Sequence, residues 1–131
     1  MTFEYLDAGD LFVLATAVTG GDVVVRDLGL LDAAAHRPRA VVLGIEAYDT
    51  LWRKAAALLD SLVRTRPLAE GNWRLGWVAA VTLCDINGWW IEADDQVAID
   101  SVRQVSAGTL EIGELAGLLE IWAVPKDATP G

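Results

Sequence analysis

The stretch Arg66-Pro67-Leu68-Ala69-Glu70-Gly71-Asn72-Trp73-Arg74 runs directly into the apolar segment 75–86, and the two together predict the centre of the fold. Pro67 fixes the backbone where the stretch begins, and Gly71 gives the backbone freedom to turn. A helix that starts here has amide N–H groups without intrahelical partners, and its peptide dipoles add partial positive charge beside them. We therefore predict an anion-binding site at this stretch, which we name the 66–74 loop.

Three charged side chains recur at intervals of four in the 66–74 loop. Carboxylates bind divalent cations, so Glu70 is a candidate metal ligand. The planar guanidinium of Arg74 suits the oxygens of a phosphate. The same spacing leaves an alternative open, in which Arg66 and Arg74 form ion pairs with Glu70 along a continuous helix. Pro67 and Gly71 disfavour such a helix, but they do not exclude the ion pairs.

Length and composition favour one domain. We expect a single domain over residues 1–124, because 131 residues suit one core, and a frayed tail over residues 125–131, which have little to bury. The apolar runs are far shorter than the roughly 20 residues that span a bilayer. The net charge of −9 argues against general binding to nucleic acid. With one cysteine and no apolar leader, the chain is expected to be cytoplasmic, away from membranes.

Hydrophobic periodicity predicts an all-α fold, a compact bundle of about six helices. The segment 75–86 is apolar on all sides, so we expect it to be the buried central helix. Residues 48–64 carry the most strongly amphipathic pattern, and Lys54 and Asp60 fall on the polar side of that helix. The two segments are expected to pack beside each other.

A short β-rich run precedes the amphipathic helix. Val41, Val42 and Leu43 are followed by Gly44, which favours an extended or hairpin flap. A buried connecting loop is an equally weighted alternative. The expected fold is therefore a helical bundle with a possible short β flap.

The 66–74 loop resembles the signature of the Fic/Doc superfamily, which reads His-Pro-Phe-x-Asp/Glu-Gly-Asn-x-Arg, often with Lys before the Arg. Chain length and the segments around the loop are most similar to the Doc, or death-on-curing, branch. Arg66 stands where the family has its histidine, and Trp73 stands where Lys is common. Leu68 in place of Phe is a smaller departure.

The resemblance implies a Fic/Doc-like fold and a nucleotide-dependent transferase that uses ATP and Mg²⁺. In that family pattern, Glu70 holds the metal, and the catalytic positions are Arg66, Glu70, Asn72 and Arg74. The nucleotide-binding positions are Gly71, Asn72, Trp73 and Arg74. A guanidinium stays protonated at neutral pH, so Arg66 is unable to take a proton from a hydroxyl substrate. The chemistry is therefore expected to be impaired, and His36, the only histidine, lies outside the loop.

The Doc branch further implies a toxin of a toxin–antitoxin pair that phosphorylates a hydroxyl on a translation elongation factor. The expected partners are a small antitoxin protein and that elongation factor. In relatives, a flap like the one formed by Val41, Val42 and Leu43 holds the target polypeptide through backbone hydrogen bonds. Two alternatives stay open: a repurposed Fic/Doc-fold enzyme or binder for a small anionic or aromatic metabolite, and a non-catalytic partner-binding module.

Overall fold

The computed structural model describes residues 2–128, and within that range it contains six α-helices and two small sheets. The helices are α1 (Ala8–Val18), α2 (Leu28–His36), α3 (Leu51–Thr65), α4 (Asn72–Ile86), α5 (Asp95–Ala107) and α6 (Ile112–Trp122). The strands are β1 (Val41–Val42), β2 (Ile45–Glu46), β3 (Trp89–Ile91) and β4 (Ala123–Pro125). Short 3₁₀ turns cover Arg37–Arg39 and Lys126–Ala128. The predicted bundle of about six helices with little β structure is confirmed.

Side chains define where four of the helices begin. Asp7, Asp27, Thr50 and Asp94 precede α1, α2, α3 and α5, and each accepts a hydrogen bond from a backbone N–H of the first turn. Such caps satisfy amides that have no partner inside the helix. Asp and Thr are among the residue types that most often take this position.

The centre of the bundle is α3, and not α4 as the sequence suggested. Helix α3 packs against α4, α5 and α6 as well as α2. Three consecutive alanines, Ala55, Ala56 and Ala57, are fully buried and let neighbours approach from several sides. Helix α4 buries one face, whereas Trp77 and Val78 are only partly covered and Ile86 is exposed. The uniformly apolar sequence of residues 75–86 therefore led us to expect more burial of α4 than the structure shows.

Lys54 was expected on the polar face of α3, but its side chain is 1% exposed. Its Nζ donates to the carbonyl oxygen of Pro38 and to Oε1 of Glu46, each at 3.2 Å. The ammonium also lies 5.1 Å from the centre of the Phe3 ring. A buried cation needs such partners, because without them its desolvation is very costly. Lys54 thus ties the segment before α3 to the core.

Strands β1 and β2 form an antiparallel hairpin with Val42 opposite Ile45. Leu43 and Gly44 make the turn with φ angles of 54° and 78°, and two positive φ angles in sequence suit a two-residue hairpin turn. Val41, Val42 and Leu43 are all exposed. The predicted hairpin flap is confirmed, and the buried-loop alternative is wrong.

The C-terminal segment departs from the expected frayed tail. Pro125 pairs with Trp89 in the β3–β4 sheet, and the Lys126 N–H donates to the Gly88 carbonyl at 3.0 Å. The Lys126 Nζ lies 2.7 Å from Oδ1 of Asp85. These backbone and ionic contacts hold residues that have few apolar side chains. Residues 129–131 of the predicted tail lie outside the described residues.

No helix within residues 2–128 combines the length and the apolar character needed to cross a bilayer.

A glycine sets the close approach of α3 and α4. A Cβ built on Gly76 lies 2.6 Å from Cγ2 of Val63, well inside contact distance. We expect Gly76→Ala to lower the free energy of unfolding by about 1–3 kcal/mol, because the helices must separate or a side chain must leave its rotamer. Urea denaturation measures this change.

Gly117→Ala is the matched control for that substitution. Gly117 also lies inside a helix, but nothing stands within 4 Å of the position that a Cβ would take there. Alanine at this position is expected to stabilise the protein by up to about 1 kcal/mol through helix propensity. Equal losses for the two variants would contradict tight packing at Gly76.

Candidate functional site

The 66–74 loop borders a cavity of about 920 Å³ between the end of α1 and the start of α4. Small-molecule sites typically occupy roughly 300–1,000 Å³. The structure brings every predicted loop residue to this one cavity, namely Arg66, Glu70, Gly71, Asn72, Trp73 and Arg74. The opposite wall includes Thr19, Asp22 and Arg26, which the sequence analysis did not select.

An extended segment preceding α2 holds the loop in place. The Pro67 carbonyl accepts hydrogen bonds from the N–H groups of Arg26 and Asp27, at 2.7 and 3.0 Å, and the Ala69 N–H donates to the Val24 carbonyl at 2.9 Å. The guanidinium of Arg26 also donates to the backbone carbonyls of Thr65 and Arg66 at the end of α3. These bonds fix the loop from a part of the chain forty residues away. No local pattern around Arg26 signals this role.

Asn72 shapes the loop from inside. Its side-chain oxygen accepts from the Leu68 N–H and its side-chain nitrogen donates to the Leu68 carbonyl, both at 2.9 Å, and the residue is buried. The sequence analysis placed Asn72 among the residues that contact the nucleotide and take part in catalysis. The observed geometry instead commits the side chain to the loop, so the group that Asn72 offers a ligand is its backbone N–H.

Helix α4 begins without a side-chain cap. Gly71 is its N-cap residue, with φ 89°, and the first helical hydrogen bond runs from the Leu75 N–H to the Gly71 carbonyl. A Cβ at Gly71 would lie 3.0 Å from Cγ2 of Thr19, so both backbone angle and space favour glycine. Within residues 2–128, the N–H groups of Asn72, Trp73 and Arg74 therefore have no hydrogen-bond partner beside the cavity. Uncapped amides at a helix start favour a bound anion.

The charged side chains of the loop are exposed and unpaired. Among the described residues, no hydrogen bond or ion pair engages the side chain of Arg66, Glu70 or Arg74. The alternative in which the two arginines pair with Glu70 is therefore wrong. The reason is geometric, because Arg66 ends α3 in the left-handed region at φ 54° while Arg74 lies in the first turn of α4. The loop between the two helices breaks the four-residue ladder.

A metal ion would need ligands beyond the protein at this site. Within residues 2–128 no group of three or more His, Cys, Asp or Glu side chains is arranged to hold a metal. Mg²⁺ is commonly held by one or two carboxylates together with phosphate oxygens. The Glu70 carboxylate, which has no side-chain partner among the described residues, has the chemistry of such a partial ligand set, and its role as a metal ligand stays a prediction.

The histidine and the cysteine of the chain both lie away from the cavity beside the 66–74 loop. His36 borders a different cavity with Arg37 and Ser61, and its Nδ1 lies 3.0 Å from the Asp32 carbonyl oxygen. Burial raises the pKa of the Cys84 thiol to about 12, so it is protonated and inert at neutral pH. Neither residue supplies a proton acceptor to the cavity beside the 66–74 loop.

Two comparisons with known proteins agree on the family of this chain. The sequence model described as the Fic/DOC family matches residues 5–84, which include the whole 66–74 loop. The chain is also 45% identical over 118 residues to the protein named Toxin Doc of Mycolicibacterium smegmatis. That similarity covers 88% of this chain and 91% of the relative. The chain belongs to the Fic/DOC family, and within it to the Doc branch.

Proposed function

We propose that this protein is a Doc-like toxin of a toxin–antitoxin pair that binds ATP and Mg²⁺ in the cytoplasm and transfers phosphate poorly. One observation carries the nucleotide site: free amides at the start of α4 and the unpaired side chains of Glu70 and Arg74 share one cavity. The 45% identity to Toxin Doc of Mycolicibacterium smegmatis supports the toxin assignment. The likeness spans nearly the whole of both chains, which favours a shared role over a shared fold alone.

Different groups around the cavity bind the phosphates and the metal ion of the nucleotide. The backbone N–H groups of Asn72, Trp73 and Arg74 bind phosphate oxygens, and the Arg74 guanidinium adds a charged contact. Glu70 holds Mg²⁺ together with those phosphates. Mg²⁺ held there would supply positive charge to the phosphoryl group during transfer. Buried Asn72 keeps the loop in the shape that presents these groups.

Arg66 limits the chemistry at the same site. Phosphate transfer to a hydroxyl needs a group that accepts the hydroxyl proton, and a guanidinium is protonated at neutral pH. A positive side chain at this position still attracts the nucleotide. The proposed result is a protein that binds the nucleotide but transfers its phosphate slowly.

The hairpin supplies the surface for the protein substrate, which we propose is a translation elongation factor. Val41, Val42 and Leu43 are exposed, and a two-stranded sheet leaves backbone N–H and C=O groups free at its edges. An extended polypeptide adds to such an edge through main-chain hydrogen bonds. The Lys54–Glu46 ion pair fixes the base of the hairpin to α3. The antitoxin is proposed as the second protein partner.

Titration with ATP, followed by tryptophan fluorescence, tests the nucleotide site, because Trp73, one of six tryptophans, borders the cavity and is 37% exposed. We expect saturable binding that Mg²⁺ strengthens. Glu70→Gln removes the negative charge that holds the cation, so it should abolish the strengthening by Mg²⁺ and weaken ATP binding about tenfold in its presence. Binding without Mg²⁺ should not weaken.

Glu120→Gln is the control, because Glu120 is exposed on α6 and does not border the cavity. It should bind ATP and respond to Mg²⁺ as the unaltered chain does. Absence of ATP binding by the unaltered chain at millimolar concentration would refute the proposed site.

A further inference from the structure

A separate cavity of about 490 Å³ lies where the N-terminal segment meets the start of α3 and the turn between α4 and β3. We name it the aromatic cavity, because Phe3, Trp52 and Trp89 line it, one from each of these three parts of the chain. None of its lining residues borders the cavity beside the 66–74 loop. Its volume lies within the range of roughly 300–1,000 Å³ that small-molecule sites occupy.

Hydrogen bonds hold the N-terminal segment in place at the aromatic cavity. The side chain of Asn87, just after α4, accepts from the Glu4 N–H and donates to the Glu4 carbonyl, each at 2.9 Å. The same side chain donates to the Leu83 carbonyl at 2.7 Å. These bonds join residues 83 positions apart in the sequence. The aromatic cavity is therefore preformed by the fold.

The aromatic lining favours a positively charged ligand. Phe3, Trp52 and Trp89 are partly buried and pack against the core. The rings of Trp52 and Trp89 meet edge to face, with centres 5.1 Å apart and planes at 80°. Two perpendicular indoles form a corner and not a stack. Aromatic faces carry partial negative charge, and groups of such rings bind quaternary ammonium ions.

Lys54 shows that a cation is stable beside one of these rings. Its Nζ lies 5.1 Å from the centre of the Phe3 ring. Lys54 does not border the aromatic cavity, and its ammonium is bonded to the Pro38 carbonyl and the Glu46 carboxylate. It therefore neither fills the cavity nor leaves an uncompensated positive charge next to it.

One carboxylate borders the aromatic cavity. Glu4 is exposed there, and within residues 2–128 its carboxylate has no ion pair and no hydrogen bond. No Lys, Arg or His among the described residues lines the cavity. An unpaired carboxylate attracts a cation, and the net charge of −9 adds to that attraction. Charge and aromatic lining thus favour the same class of ligand.

We propose that the aromatic cavity binds an organic cation of the methylated-ammonium type, with Trp52 and Trp89 contacting its methyl groups and Glu4 balancing its charge. Such a group has an apolar surface and a positive charge, which match the rings and the carboxylate. Methylated ammonium groups occur in free small molecules and on modified lysine side chains of proteins. The site is independent of the nucleotide site and of the transferase chemistry.

Titration of the full chain with choline tests this site, followed by NMR of the indole N–H signals of the six tryptophans. The reference probe is the uncharged analogue of choline in which carbon replaces the nitrogen. We expect choline to bind at least about tenfold more tightly than this analogue, with the largest shifts at Trp52 and Trp89. A peptide that contains trimethyllysine is the third probe. If it binds more tightly than choline, the cation belongs to a modified protein, and if it binds more weakly, to a free small molecule.

Two variants separate the aromatic and the ionic contributions. Trp89→Leu keeps an apolar side chain but removes the ring, so choline binding should weaken about fivefold. Glu4→Gln keeps the backbone bonds to Asn87 and removes the charge. It should weaken choline binding about threefold and leave binding of the uncharged analogue unchanged.

Trp90→Leu and Glu120→Gln are the matched controls, because both residues are exposed and neither borders the aromatic cavity. They should bind choline as the unaltered chain does, and circular dichroism establishes that all four variants are folded. Glu4→Gln decides the outcome if Trp89→Leu does not fold. Equal affinity for choline and its uncharged analogue overturns the cation site. So does an unchanged choline affinity in the folded variants, or no binding of either methylated ammonium at millimolar concentration.

Discussion

Arg66→His is expected to raise the rate of phosphate transfer to an elongation factor by about 10²–10⁴-fold, the usual contribution of a general base. A neutral imidazole accepts the hydroxyl proton that a guanidinium is unable to take. The backbone supports the exchange, because residue 66 adopts the left-handed region at φ 54°, where histidine is several-fold enriched. The gained activity should increase as pH rises through about 6.5, the ordinary pKa of histidine, since the base acts when unprotonated.

Single-turnover labelling with γ-labelled ATP and a purified bacterial translation elongation factor measures this rate. Induction of the same variant in bacteria should arrest growth. Arg66→Asn is the control, because asparagine also tolerates the left-handed region and removes the positive charge but supplies no base. Equal activation by both substitutions would show that removal of the arginine, and not the new base, changes the rate. A folded Arg66→His variant without activity would contradict the assigned role of position 66.

Asn72→Ala is expected to lower the free energy of unfolding by about 2–4 kcal/mol. The substitution leaves the N–H and the carbonyl of Leu68 without partners, and each unsatisfied buried group costs about 1–3 kcal/mol. Leu68 itself is 1% exposed, so water has little access to replace the lost bonds. The loop that presents the α4 amides should loosen at the same time, which weakens ATP binding.

Asn87→Ala provides a matched comparison with the only other asparagine. Its side chain also bonds to backbone groups, accepting from the Glu4 N–H and donating to the Glu4 carbonyl, each at 2.9 Å. Those two bonds are exposed, and a third, from the side-chain nitrogen to the Leu83 carbonyl at 2.7 Å, is only partly buried, so water replaces them more readily and the expected loss is smaller, near 1 kcal/mol. Urea denaturation of both variants gives the two values. A loss at position 72 no larger than that at position 87 would argue against Asn72 as the internal support of the loop.

Local patterns predicted the helical bundle and the loop that borders the cavity of about 920 Å³. Hydrophobic periodicity predicted about six helices, and the structure shows that Asp27 and Thr50 cap two of them. Pro67 and Gly71 correctly indicated a break between two helices, so the structure separates Arg66 from Arg74 without an ion-pair ladder. These features depend on residues close in sequence, which a single chain displays directly.

The features that the sequence did not predict depend on contacts between residues far apart in the chain. The position of Lys54 in the helical pattern suggested a solvent-facing side chain, but Pro38 and Glu46 supply the partners that allow its burial. Arg26 reaches the end of α3 from a segment with no distinctive pattern. Pro125 has no amide hydrogen, yet it pairs with Trp89 in the β3–β4 sheet. Both strands of a two-stranded sheet are edge strands, and proline is tolerated in an edge strand. In each of these three cases, the contact is made with a segment that is distant in sequence and adjacent in the fold.

The inward orientation of the Asn72 side chain likewise depends on a contact that the sequence pattern does not display. The family pattern identified the position, but it did not distinguish a side chain that contacts a ligand from one that supports the loop. Two hydrogen bonds to Leu68 make that distinction in the structure. The family pattern therefore indicated the position of Asn72 in the 66–74 loop, but it did not indicate that the side chain supports the loop.

We propose that the start of α4 forms a phosphate-binding site in which Arg66 occupies the position of the proton acceptor. The most direct measurement adds γ-labelled ATP and Mg²⁺ to the unaltered chain, with elongation factor present, and follows binding and transfer in the same sample. From this proposal we expect saturable ATP binding, with phosphate transfer at least about 10²-fold slower than in the Arg66→His variant. No ATP binding, or transfer as fast as in that variant, would contradict it.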